Sequence, residues 1–227
     1  MPCLRRARRA LRVSSPSLLR PIDVVEQTVT VAGRDLRVVR PRDPDELLDE
    51  EAFEHEEFLP YWAELWSNAV ALAHDVSLRS LRGKPTLELG CGLGLPSIAA
   101  ARAGGRVLAT DWSPDAVEAT AANAELNGVE IETLRCSWAE PEPLLDRAPW
   151  PLVLASDVLY EARNVELLLE LLPRLVDETG LVLLADPGRV PAERFLAAAP
   201  ERGWTVRSVA SPRAQRVLIH RLRRTEA

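Results

Sequence analysis

The stretch Thr86-Leu87-Glu88-Leu89-Gly90-Cys91-Gly92-Leu93-Gly94-Leu95-Pro96 restricts this chain more than any other. Its first part reads as a buried strand, and glycines then stand at alternate positions. Pro96 suits the first turn of a helix, where a missing N–H costs nothing. Glycine at 90, 92 and 94 lets the backbone bend sharply and lets a ligand approach without meeting a Cβ. A tight strand-to-helix turn without a ligand would use the same residues. The dinucleotide fingerprint G-x-G-x-x-G is not matched, because Leu95 stands where its third glycine belongs. No Gly-Lys-Ser/Thr follows, which excludes a P-loop. Glu88 precedes the turn; a carboxylate there would repel a pyrophosphate and would suit a ligand carrying an ammonium group.

Arg106 to Asp111 reads as the next strand, ending in an acid 23 residues after Glu88, the length of one helix and one strand. An acid at the end of the second strand of such folds binds the two ribose hydroxyls. The order Glu88, glycine turn, Asp111 closely resembles class I S-adenosylmethionine-dependent methyltransferases, from about Trp62 to the C-terminus. The resemblance implies S-adenosylmethionine as cofactor and S-adenosylhomocysteine as product. It carries the ligand acid to Glu88, the glycine loop to Gly90, Gly92 and Gly94, and the ribose acid to Asp111.

The 227 residues suffice for one domain with a full core. The net charge of −6 argues against a dedicated nucleic-acid binder, so nucleic acid is not expected as a partner. Cys3, Cys91 and Cys136 show no C-x-x-C spacing, which indicates neither zinc nor a disulfide framework, and no metal is expected. No apolar run approaches a membrane span, and no apolar segment follows the first arginines as in a secretory signal. A monomer in a reducing cytoplasm is the expectation. His55, His74 and His220 are scattered, and none falls on a motif.

Residues 1–20 hold six arginines and no acid, the composition of a disordered basic tail, a mitochondrial presequence or a loose nucleic-acid arm. Residues 21–60 read as a β-hairpin followed by an acidic helix. Val25, Val29 and Val31 alternate before the Ala32-Gly33-Arg34-Asp35 turn, and Leu36 and Val38 alternate after it. Residues 43–57 carry nine carboxylates and no Lys or Arg: a solvated helix after Pro44 with Leu47, Leu48, Phe53 and Phe58 inward, or a lure for a basic protein.

Residues 61–227 are the domain that the resemblance implies to be the methyltransferase. Trp62, Trp66, Ala69, Val70, Ala73 and Val76 keep helical spacing, with Trp66 either core or a cover for the cofactor's sulfonium. Ser113-Pro114-Asp115 caps a helix that Asn127-Gly128 ends. Ile131 to Cys136 is a third strand, with Trp138 just beyond it; Trp112 is a candidate for packing on one adenine face and Trp138 for sitting at its edge, or either for core. Leu152 to Ser156 is a fourth strand, and Ser156-Asp157-Val158-Leu159-Tyr160 reaches the carboxyl edge, where active sites lie. The tetrad Asp157 to Tyr160 is not the N/D-P-P-Y of amino-methyltransferases. A helix at Asn164–Val176, a strand at Gly180–Ala185, a helix at Pro191–Arg202 and two antiparallel strands at Trp204–Val209 and Gln215–Arg221 complete the reading. The expected fold is α/β: a Rossmann-like seven-strand sheet, helices on both faces, a C-terminal antiparallel hairpin and a small β-hairpin in front.

The N-terminal hairpin, the Trp62–Trp66 segment, Asp157-x-x-Tyr160 and the Asp186-Pro187-Gly188-Arg189 turn together resemble the small seven-strand protein lysine methyltransferases, the methyltransferase 16 family. The last turn resembles the branch acting on the β subunit of electron-transfer flavoprotein. The resemblance implies a protein substrate and a lysine site lined by Asp157 and Tyr160, with Asp157 orienting the amine and Tyr160 packing on its stem. Asp186 is either a helper or a former of its Pro-Gly turn. A small-molecule N-methyltransferase and a non-catalytic cofactor-binding module are the competing readings; a ribosomal RNA methyltransferase is disfavoured by the acidic charge.

Overall fold

The computed structural model describes residues 23–47 and 60–225. The basic stretch 1–20 and the body of the acidic stretch, with Leu48, Phe53 and Phe58, lie outside the described residues. Strands β1 (Val24–Val31) and β2 (Arg34–Pro41) form the N-terminal hairpin around Ala32-Gly33, both with positive φ. A 3₁₀ turn at Pro44–Leu47 stands where the acidic helix was expected to begin.

The main sheet holds β3 (Pro85–Leu89), β4 (Arg106–Asp111), β5 (Glu132–Arg135), β6 (Trp150–Ser156), β7 (Val176–Asp186), β8 (Trp204–Ala210) and β9 (Leu218–Arg224). Their order across the sheet is β5-β4-β3-β6-β7-β9-β8. The first five run parallel, and β9 lies antiparallel to both β7 and β8. The order reverses beside β3, so a crevice opens beyond the carboxyl ends of β3, β4 and β6. The last strand lies three residues later than the sequence pattern suggested, because residues 211–217 form a looser connection than a tight Ser-Pro turn.

Helices α1 (Ser67–Ser77), α2 (Leu95–Arg102) and α3 (Pro114–Leu126) cover one face with the hairpin: Leu36, Val38, Leu72, Val76, Ile98 and Ala119 meet Leu152, Leu154 and Leu183. The one-turn α4 (Glu142–Leu145), with α5 (Ala162–Leu175) and α6 (Val190–Ala198), covers the other, where Leu168, Leu172 and Phe195 meet Leu87, Leu89, Val153 and Val182. Strand side chains alternate between faces, so neighbouring residues of β3 feed different cores. The hairpin is sewn on by two asparagines of the α3 end. Asn123 Oδ1 accepts the Val39 N–H at 2.8 Å and its amide donates to Val39 O; Asn127 pairs the same way with both backbone groups of Arg37. These amides act as a surrogate strand edge for β2.

The expected single helix from Trp62 to Val76 is instead three pieces. Tyr61–Ala63 is a 3₁₀ turn, Glu64 and Trp66 are extended, and α1 starts at Ser67. The chain here lies flat against the glycine turn, with Trp62 O only 3.4 Å from where a Gly92 Cβ would stand. The Trp66 indole N–H donates to Tyr61 O at 2.8 Å, which fixes the extended link.

Candidate active site

The glycine turn follows β3 at the centre of the crevice. Gly90, Gly92 and Gly94 all have positive φ, which other L-residues adopt only with strain. Two of them also lack room: a Cβ on Gly90 would stand 2.9 Å from Val158 Cγ1, and one on Gly94 would stand 2.8 Å from Thr120 Cγ2. The turn is held from several sides. Cys91 N–H donates to Thr110 O, Thr120 Oγ1 donates to Gly92 O, and Asn123 donates to Leu93 O. Asn123 thereby ties the N-terminal hairpin to the turn through one side chain.

Asp111 closes β4 beside it. Its Oδ2 accepts the Gly92 N–H and its Oδ1 the Ser113 N–H, each at 3.0 Å. Burial pushes its pKa up to about 6, against the opposing pull of those backbone donors. The Trp112 backbone N–H also favours the carboxylate, and the lone-pair capacity that remains can accept a ligand hydroxyl.

A cavity of about 980 Å³ spans this edge. It is lined by Gly90, Gly92, Gly94, Asp111, Trp112, Trp138, Trp66, Ser156, Asp157 and Tyr160, so one space collects the sequence-derived candidates except Glu88 and Asp186. Its size suits a nucleoside-sized ligand with a side chain beside it.

Glu88 does not line the cavity. Leu87 and Leu89 belong to the α5 side of the sheet, and strand alternation sends Glu88 to the α2 side. It is fully buried there and accepts a very short hydrogen bond from Ser97 Oγ of α2, while its Oε1 has no partner. Desolvation raises its pKa to about 8, so the group is largely protonated at neutral pH. The expected partner for a ligand ammonium thus stands behind the turn, outside the cavity lining.

The β6 side is built differently. Asp157 stands just past β6 with φ of 56°, its N–H bonded to Ala185 O at the end of β7. Its carboxylate is gripped in bidentate fashion by Arg189, Nε to Oδ1 at 2.6 Å and Nη2 to Oδ2 at 3.0 Å. Arg189 is set in place by Asp186, whose Oδ1 accepts the Gly188 and Arg189 N–H groups at 2.6 and 2.8 Å. Asp186 thus takes the turn-forming role and does not line the cavity. Tyr160 is exposed at the mouth, its ring 5.3 Å from that of Tyr61 at 57°. Burial and the nearby Glu161 carboxylate raise its pKa to about 12, so it remains a neutral phenol. Asn164 Nδ2 donates to Val158 O, tying α5 to the Asp157–Tyr160 loop.

Sequence reasoning assigned no role to Arg189, Tyr61 or Asn164. Arg189 was present in the quoted turn, but nothing in a linear pattern pairs it with an acid 32 residues earlier. Among the described residues, no group of His, Cys, Asp and Glu is placed to hold a metal ion, and no helix is long and apolar enough to cross a membrane.

Comparison with known proteins agrees with this geometry. The sheet and its helices superpose on the 16S rRNA N2 G1207 methyltransferase RsmC of T. thermophilus, solved in complex with AdoMet and guanosine. The TM-score is 0.66 at 13% identity, covering 92% of this chain and 52% of that one. The electron transfer flavoprotein beta subunit lysine methyltransferase of Xenopus laevis is 38% identical over 136 residues, 57% of this chain and 53% of its own length. The histone-arginine methyltransferase METTL23 of the same species is 34% identical over 112 residues, 47% of this chain and 48% of its own. The chain spans about half the length of these curated relatives. The glycine turn, the Asp111 carboxylate and the aromatic lining fit S-adenosylmethionine. The sequence profile of the lysine methyltransferase family matches residues 61–199, well over half of the molecule, and the chain belongs to that family.

Proposed function

We propose that this protein is an S-adenosylmethionine-dependent methyltransferase acting on a lysine side chain of a protein substrate. The observation that carries the reading is the meeting, in one cavity, of the Gly90–Gly94 turn and Asp111 with Asp157 and Tyr160. Asp111 would bind the ribose hydroxyls, the glycine turn would receive the amino-acid moiety, and Trp112 would pack on one face of the base with Trp138 at its edge. Trp66 and Ser156 complete the wall. When bound, S-adenosylmethionine supplies a methyl group on a cationic sulfur, which leaves as the neutral thioether of S-adenosylhomocysteine.

The chain's own part is orientation. An amine must arrive uncharged, lone pair toward the methyl, and its surplus proton leaves to water after transfer. Asp157 would accept an N–H of that amine, and Tyr160 with Tyr61 would pack on the alkyl stem. Support for a lysine acceptor comes from the family and from relatives named as lysine methyltransferases. The reading extends to a monomer in a reducing cytoplasm, which suits the free, buried thiols of Cys91 and Cys136.

The test uses methyl-tritiated S-adenosylmethionine and a fractionated cell extract. Label should enter one protein band, mass spectrometry should place it on a lysine, and Asp157→Ala should abolish it while cofactor affinity by calorimetry stays unchanged. Label confined to small molecules would replace the protein reading with metabolite methylation. Equal loss of transfer and cofactor affinity in Asp157→Ala would remove Asp157 from the acceptor side.

A further inference from the structure

We infer that Arg189 is a positioning residue of the acceptor site: by neutralising Asp157 it admits the acceptor amine in its uncharged, nucleophilic form. The inference rests on the amine-methylation reading above. A carboxylate alone is a poor companion for an amine that must lose a proton. It stabilises the ammonium and so raises the amine's pKa. A lysine amine already spends all but roughly one part in a few thousand as ammonium at neutral pH, and each further unit costs another tenfold in nucleophile.

The geometry removes that difficulty. The Arg189 guanidinium holds both oxygens of Asp157, whose side chain is only 5% exposed. The pair is close to neutral as a unit, yet each oxygen retains a lone pair that can accept an N–H. Arg189 is not loosely placed: Asp186 fixes its backbone, and the fork matches the carboxylate edge to edge. Other charged or titratable groups around Asp157 do not supply this neutralisation. Asp186 adds negative charge from the β7 end. Tyr160 faces it as a neutral phenol from the following loop. Glu161 and Arg163, farther along the loop, form their own ion pair at 2.5 Å.

Two measurements on the full chain test this. The first titrates n-butylammonium chloride at pH 7, read by the fluorescence of the cavity tryptophans, and needs no turnover. Arg189→Ala should bind this cation about tenfold more tightly than the parent. Arg189→Lys should resemble the parent, and Arg189→Ala with Asp157→Asn should lose the gain. No tightening in Arg189→Ala overturns the inference. The second follows initial rates against pH with the labelled acceptor protein. Arg189→Ala should show a lower KM for acceptor, an acid limb of kcat moved up by about one pH unit, and near-parent rates at high pH. A uniform drop in kcat with the profile unmoved would mean that Arg189 is merely structural. If the parent enzyme labels no lysine at all, the functional reading fails, and the butylammonium titration still decides the charge argument.

Discussion

On the β3–β4 side of the cavity the working groups are backbone: three glycines at positive φ, held by Thr120, Asn123 and Asp111. On the β6–β7 side they are side chains that meet across the chain, Asp157 with Arg189 and Tyr160 with Tyr61. The first region is rigid and anonymous, suited to a ligand common to a whole fold. The second is made of replaceable charges and rings, where one lineage can change its acceptor without disturbing the turn. The acids differ accordingly. Glu88 and Asp111 are raised by burial, whereas Asp157 is buried with a counter-ion in place.

The sharpest way to break the comparison is through Glu88, if it is a neutral structural group. Its pKa rises from 4.5 to about 8 on folding, so between those values the folded chain keeps a proton that the unfolded chain loses. Stability must therefore fall as pH rises through that window and level off above it, by several kcal/mol at roughly 1.4 kcal/mol per unit. Glu88→Gln removes the titration. Asp111 contributes the same sign in both proteins up to about pH 6, so the diagnostic span is pH 6 to 8. Urea unfolding across it, where the lowered His74 and His220 pKa values add the same rise with pH to both proteins, should show the parent weakening relative to the variant; parallel curves would mean that Glu88 is ionised in the fold.

Asp111→Ala comes next. It should weaken S-adenosylmethionine binding by roughly 1.5–3 kcal/mol, the worth of hydrogen bonds to a charged group, and leave acceptor KM in place. Unchanged affinity by calorimetry would take Asp111 out of the cofactor half. The smallest effect belongs to the rim. Tyr61→Ala removes an aromatic pair worth about 0.5–1.5 kcal/mol, so acceptor KM should rise several-fold while cofactor affinity holds. A matching loss of cofactor affinity would blur the division between the two regions.

The same division explains what could be read from the chain. Strand β3, the glycine turn, Asp111 and the Ser113 cap are local, and each follows from residues within a few positions. The direction of Glu88 was legible too, since Leu87 and Leu89 must share a face and leave Glu88 the other; the motif obscured the alternation. The break before α1 was not legible, because Trp62 and Trp66 keep helical spacing and only their packing on Gly92 and Tyr61 decides otherwise. The Asp157–Arg189 pair was hidden for a simpler reason: α5 and β7 lie between its partners in sequence, and only the sheet joins them.

The position of β9 bears on how the molecule is made. Strand β8 is synthesised first, yet among the described residues its ladder partner is β9, and β9 alone connects it to β7. A growing chain therefore presents β7 with a bare edge, and β8 with nothing to pair to, until residues 218–224 have left the ribosome. Elongation that stalls before Leu218 forfeits two strands rather than one. It exposes the kind of unpaired edge that invites aggregation and chaperone capture.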